Sequence, residues 1–251
     1  MNGRPLRVIA MLLALAVTGP HLLHADESAL DIITRVDTDR QPRTTRSEMT
    51  LRVYADAQSD RVSREFRLLT MTRNDQESYT EFLSPANIAG IRLLQTADTM
   101  LVFFPSTGRV RRITGRARTG SVGGVGGDFT YEDIDAAPLG ERFTGFQLID
   151  ESATRWTICA VPAAEGSAYD RVVLHIDKNR AAVAQIDYYA GGEQVKRMET
   201  TGFTSVVGRS VPTEFSMVNL KADSRSVLRI DDLEWNIFLR DRHFDPDRFH
   251  R

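Results

Sequence analysis

Beyond Pro42 the chain is written almost entirely in period two. Met49, Leu51 and Val53 alternate with Glu48, Thr50 and Arg52, the signature of a strand with one buried face. Arg61 to Arg73, Ser78 to Leu83, Ile91 to Thr96, Thr99 to Phe104 and Val110 to Ile113 read as further strands. So do Phe146 to Ile149, Arg155 to Val161, Arg171 to Ile176, Ala182 to Tyr189, Glu193 to Thr200, Val211 to Asn219 and Arg225 to Trp235. The separators are short and turn-like: Asn74-Asp75-Gln76-Glu77, Ala97-Asp98, Lys178-Asn179, Gly191-Gly192, Gly208 and Ala222-Asp223. Gly191-Gly192 suits a two-residue hairpin. A parallel crossover takes about a dozen residues or more, so neighbours this close must be antiparallel. The expectation is a mainly β chain of about ten or eleven strands, as a barrel or sandwich. No break in composition marks a domain boundary.

Two stretches depart from that pattern. Ser28 to Asp39 reads as a helix: Ser28 and Asp31 have capping-box spacing, Leu30, Ile33 and Val36 recur at three-residue intervals, and Pro42 stops it. Thr114 to Leu139 carries Gly115, Gly120, Gly123, Gly124, Gly126 and Gly127, then a polar-aromatic run and Pro138. Glycine at this density predicts a mobile loop with little apolar content. Thr130 and Asp133 have the spacing to cap a short helix after it.

The N-terminus sets where the chain is expected to work. Arg4 and Arg7 precede an apolar run from Val8 to Val17, followed by Gly19, Pro20 and Ala25. This is the pattern of a secretory signal peptide over residues 1–25. A bilayer span needs roughly 20 apolar residues, so the run is too short to anchor the chain. The residue after the expected cut is Asp26 and not cysteine, so no lipid anchor is expected there. Two of the 32 Lys and Arg fall in the leader, leaving 30 basic against 34 acidic residues over 26–251, a net charge of −4. That balance gives no bulk attraction to nucleic acid. Cys159 is the single cysteine, which excludes an internal disulfide, and it is expected to be buried as a small apolar residue.

Motifs for catalysis are missing. His175, His243 and His250 are the histidines beyond the leader, and none has metal-ligand spacing with another His or Cys. His175 on a strand reads as a packed or surface residue. Gly120-Ser121-Val122-Gly123 is not a nucleophile elbow. Gly124-Val125-Gly126-Gly127 is neither a P-loop nor a dinucleotide fingerprint, so no cofactor is expected. Glu132, Asp133 and Asp135 read as a solvated acidic face or helix-start charges. Arg109, Arg111, Arg112, Arg116 and Arg118 place five guanidinium groups in ten residues. Two readings stand for them: docking on an anionic lipid surface or acidic partner, or an edge strand blunted by charge.

Three segments together resemble a family. Ser84-Pro85-Ala86-Asn87-Ile88-Ala89-Gly90-Ile91-Arg92-Leu93-Leu94 resembles the P-x-x-x-x-G-x-x-L-L element of LolA-like outer-membrane lipoprotein-sorting proteins. Asp98 to Pro105 is similar to their D-x-x-W-x-Y-x-P strand, with Leu101 and Val102 in the region where an aromatic is common. Gly127-Asp128-Phe129-Thr130-Tyr131-Glu132-Asp133 is similar to their G-x-D-F-T-Y-E-D signature. The resemblance implies one strongly curved antiparallel sheet, an incomplete β-barrel, with helices over its concave side. It also implies a periplasmic carrier, not an enzyme, that moves lipoprotein acyl chains or related lipids between inner and outer membranes. It would touch the membrane surface transiently, with a membrane transporter as a possible partner, and act as a monomer.

A carrier must hide an acyl chain at about 0.8 kcal/mol per methylene. Candidate lining residues are Met49, Leu51, Val53, Phe66, Leu68, Leu94, Leu101, Phe103, Trp156, Ile158, Phe215 and Met217. About a third of them are expected to face a cavity of ordinary size. The α-helical stretch and the glycine-rich segment are candidate lids, the latter anchored through Gly127, Asp128, Phe129, Tyr131 and Asp133. The alternative binding function is a lipid-sensing envelope module that docks on a membrane partner. A secreted hydrolase would need a nucleophile-base pair that the sequence does not display. A structural envelope protein would have a filled core and no cavity.

Overall fold

The computed structural model describes residues 28–39, 44–74, 76–97, 99–206 and 208–251. The expected signal peptide, Pro42, Asp75 and Asp98 lie outside the described residues. Helix α1 spans Ala29–Asp39. It is started by a reciprocal pair: the Asp31 N–H donates to Ser28 Oγ at 3.2 Å, and Ser28 Oγ donates to Asp31 Oδ2 at 2.6 Å. The buried stripe is Ala29, Ile32, Ile33 and Val36, while Leu30 is 56% exposed. The three-residue spacing read from the sequence therefore picked one wrong member, because a helix face follows i, i+3, i+4 and i+7.

Thirteen strands follow, one at each segment read above as a strand, although the total was put at about ten or eleven: β1 Thr44–Tyr54, β2 Val62–Arg73, β3 Glu77–Ser84, β4 Arg92–Gln95, β5 Met100–Phe104, β6 Arg109–Arg112, β7 Phe143–Glu151, β8 Arg155–Pro162, β9 Arg171–Asp177, β10 Ala182–Ala190, β11 Glu193–Val206, β12 Arg209–Asn219 and β13 Ser224–Trp235. All pair antiparallel in one sheet of order β6-β5-β4-β3-β2-β1-β13-β12-β11-β10-β9-β8-β7. The first and last strands meet in its middle, with Leu51 opposite Leu228. The mid-chain strands β6 and β7 become its two edges, so the sheet is not closed. The β6–β7 connection, which includes the short helix α2 (Leu139–Arg142), spans the open side.

Curvature follows from what this connection and the core touch. Arg64 of β2 donates to the Val125 carbonyl, while Lys196 of β11 donates to the Asp128 carbonyl at 2.7 Å. One apolar cluster joins Leu51, Phe66 and Phe82 from one half of the sheet to Ile158, Leu174 and Tyr188 from the other, under α1. The sheet is thus an incomplete barrel wrapped around one core, with helices on its concave side. A second, smaller cluster lies on the other face of β2–β5. Here Met71, Tyr79 and Leu94 pack against Leu239, Phe244 and Phe249 of the C-terminal segment. Cys159 is half-buried on β8, less sheltered than expected. No helix among the described residues is long and apolar enough to cross a membrane.

Candidate functional site

The glycine-rich connection has more apolar packing than expected. Val122, Phe129 and Tyr131 are buried in the main core. At Gly123 the backbone has φ +62°, and an added Cβ would sit 3.0 Å from the Phe82 ring. At Gly126 (φ +69°) an added Cβ would fall 2.6 Å from Arg64 Nη1. These glycines permit a close approach that a side chain would block.

The charged residues of the segment are its fasteners. Asp128 accepts hydrogen bonds from Ser224 Oγ at 2.5 Å and Ser226 Oγ at 2.7 Å, tying the connection to β13. Thr130 and Asp133 form the reciprocal pair expected of a cap, but a turn and not a helix follows. The Asp133 side chain is fully buried; its Oδ2 accepts from Lys196 Nζ at 2.9 Å and its Oδ1 from Tyr169 Oη at 2.8 Å. Glu132 accepts from Ser167 Oγ and from the Ala168 N–H. Asp135 accepts from Arg118 and Gln95. The acidic run read as a solvated face is therefore an internal anchor, because each carboxylate meets a donor outside its own segment.

Burial alone would raise the Asp135 carboxyl. The Ala137 N–H, Arg142, Arg118 and Gln95 outweigh it and hold the carboxyl below its ordinary value. Its stabilising contribution is present above the unfolded-state value of about 4 and is lost as pH falls through the lower folded value. Asp135→Asn should destabilise at pH 7, and the gap from the native chain should shrink below about pH 4. Urea melts at both pH values check this; a constant gap would remove Asp135 from the acid response.

Two cavities flank α2. The first, of about 430 Å³, lies between the two sheet edges and is lined by Gln95, Arg118, Glu132, Arg142, Tyr169 and Tyr188 among others. The second, of about 470 Å³, is a groove at the ends of β10–β13, with Leu139, Val183, Ile186, Met198, Val211 and Phe215 as its apolar wall. Arg142 lines both. The short helix is held at its start by α1, where the Asp37 carboxylate accepts from the N–H groups of Leu139 and Gly140 at 2.9 Å each.

Against these cavities the sequence-based list divides. Leu51, Val53, Phe66, Leu68, Trp156, Ile158 and Met217 are buried in the main core, with Met49 and Phe215 packed at its margin. Leu94, Leu101 and Phe103 face the other way, under the C-terminal segment. Of the twelve, Phe215 alone lines either cavity. Periodicity assigned residues to faces but could not say which face curves inward. The sequence reading also missed Lys196, Tyr169, Tyr188, Arg142, Ser224 and Ser226. A lysine inside an otherwise half-apolar strand was the available signal.

The arginine cluster also divides. Arg109, Arg111, Arg112 and Arg116 are exposed, the first three on edge strand β6, whereas Arg118 turns inward to Asp135. His175 Nε2 lies 3.2 Å from Asp187 Oδ2 on adjacent strands and lines neither cavity. Among the described residues no group of three His, Cys, Asp or Glu side chains is placed to hold a metal ion.

Comparison with solved structures finds the same architecture. An outer membrane lipoprotein-sorting protein domain from Vibrio parahaemolyticus superposes with a TM-score of 0.77 at 18% identity, covering 88% of this chain and 98% of that one. A DUF1329 family protein from Desulfovibrio piger gives 0.75 at 21% identity, covering 87% and 96%. A LolA superfamily protein from Nitrosomonas europaea gives 0.71 at 21%, covering 88% and 98%. No curated protein matches the sequence. A family model whose description reads "Uncharacterized protein" matches residues 74–251, more than half of the chain. The chain belongs to that family, and it has the LolA-like fold of the lipoprotein-sorting proteins.

Proposed function

We propose that this protein is a non-enzymatic periplasmic carrier. A signal peptide over residues 1–25 would export it, and residues 26–251 would form one domain that binds acyl chains of lipoproteins or related lipids for passage between membranes. The observation that carries this reading is the groove at the ends of β10–β13, about 470 Å³, which opens beside the main core, is bordered by α2 and has an apolar wall alongside the polar Asn179, Arg180, Thr200 and Ser210. That volume is within the ordinary range of small-molecule sites. Sheltering one long chain is worth on the order of 10 kcal/mol, so partial burial there is enough for reversible binding. The structures with the same fold support the reading, one of them being described as a lipoprotein-sorting domain. Met198 suits a variable chain, since methionine repacks easily.

The test is Phe215→Glu, which puts a carboxylate into the groove wall. Affinity for a fluorescent long-chain fatty acid should fall at least about tenfold, since burying an unpaired charge costs several kcal/mol. The fold should remain, checked by circular dichroism, because Phe215 is only partly buried. Unchanged binding by a folded variant would remove the groove from the proposal.

A second reading, a regulatory module docked on a membrane partner, is favoured by the exposed arginines of β6. Loss of co-flotation with anionic vesicles on reversing Arg109, Arg111 and Arg112, with acyl-chain binding intact, would favour it.

A further inference from the structure

The cavity between the two sheet edges differs from the groove in the number of charged side chains on its lining. Its lining brings the cations Arg118 and Arg142 together with the carboxylates Glu132, Asp135, Glu141 and Glu165. Two buried polar atoms of residues on this lining, Arg118 Nε and Tyr188 Oη, have no well-formed hydrogen bond among the described residues, and the Arg142 side chain is a polar neighbour of the Tyr188 hydroxyl. Tyr188 is only 1% exposed. Burial, reinforced by Asp133 and opposed by the Arg142 side chain, pushes its hydroxyl pKa up, so it stays protonated. Leaving such donors unpaired is costly, and buried polar groups are nearly always satisfied. An acceptor oxygen brought to the inner end of the cavity would satisfy the Arg118 Nε–H and the Tyr188 O–H. The inner carboxylates are already engaged: Glu132 by Ser167 and Ala168, Asp135 by Arg118 and Gln95. Glu141 and Glu165 are exposed.

The lining thus presents unsatisfied donors at depth, beside carboxylates that are already engaged, and two further carboxylates at its exposed rim. Arg142 is the wall shared with the groove. It is held by two long bonds, from Nη2 to the Glu132 and Asp133 carbonyls, each 3.3 Å. We infer that this cavity receives the zwitterionic head of an amphiphile, its phosphate toward Arg118, Arg142 and Tyr188 and its amine toward Glu141 and Glu165, with the tail in the groove across Arg142. The inference rests on the carrier reading for the tail. The head site stands on its own observations.

The experiment is calorimetric titration of the full chain and of Tyr188→Phe with three probes. These are dihexanoylphosphatidylcholine, its head alone as glycerophosphocholine, and an uncharged alkyl glycol of matched tail length. The expected result is a fivefold to tenfold weaker affinity of the variant for the phosphocholine lipid, the effect of about one lost hydrogen bond. Affinity for the alkyl glycol should be unchanged. The melting temperature of Tyr188→Phe without lipid should be equal or higher, because a buried unpaired hydroxyl is removed; a purely structural tyrosine would lower it. Dihexanoylphosphatidylglycerol, which lacks the amine, should bind more weakly than the phosphocholine lipid. Equal affinity of both chains for the phosphocholine lipid would overturn the head site while leaving the groove standing. Binding of glycerophosphocholine that is sensitive to Tyr188→Phe, with no alkyl glycol binding, would keep the head site and remove the carrier reading. Failure of all probes on the native chain would overturn both.

Discussion

Lys196→Met is expected to destabilise the protein by about 3–5 kcal/mol, the usual effect of stripping one partner from a buried ion pair. The Asp133 side chain is fully buried and Lys196 nearly so, and the ammonium also bonds the Asp128 carbonyl. Methionine keeps the length of the side chain and removes only the charge and its donors. Asp133 would keep the Tyr169 and Thr130 donors but lose its countercharge. The same change unfastens the β6–β7 connection from β11. Urea denaturation of Lys196→Met, Asp133→Asn and the double variant measures this. The double variant should cost less than the sum of the singles, because the second change removes a charge already unpaired. Additive costs would show that the pair is not coupled.

Phe249→Ala is the second large effect. Phe249 is 2% exposed in the cluster with Met71, Tyr79, Leu94, Leu239 and Phe244. Truncating a buried phenylalanine costs about 3–5 kcal/mol, which for a chain of this size lowers the melting temperature by on the order of 10 °C. The C-terminal segment is also held by Arg73, which bonds Asp241 at 2.6 Å and lies 4.4 Å from the Phe244 ring centroid. The loss should therefore be partial and not an unzipping of the whole segment. Acyl-chain binding should persist at temperatures where the variant is folded, because this cluster lies on the face of β2–β5 away from the groove. A melting temperature within a degree or two of the native value would show that the segment is not a structural cover.

The G-x-D-F-T-Y-E-D resemblance shows how far residue identity reached. It marked Gly127 to Asp133 as special, and the structure places there Asp128, Thr130 and Asp133, the fasteners of the connection. Their partners Lys196, Tyr169, Ser224 and Ser226 are between about 36 and 98 residues away in sequence, beyond any local pattern. Glycine density was misread for a related reason. In isolation it signals chain freedom, whereas Gly123 and Gly126 here have no room for a Cβ against Phe82 and Arg64.

The sequence by itself determined the strands, their antiparallel pairing and the capped first helix. These depend on period-two burial, short connections and one side-chain cap, all readable within a few residues. Only the tertiary structure decided that β1 pairs with β13 and that β6 and β7 become the free edges. It also decided which apolar face is concave, and that the open side holds a cavity lined by charged side chains beside a groove with one apolar wall. Alternation divides a strand into two faces without naming either, and the choice between them is made only when distant strands and the returning C-terminal segment compete to bury them.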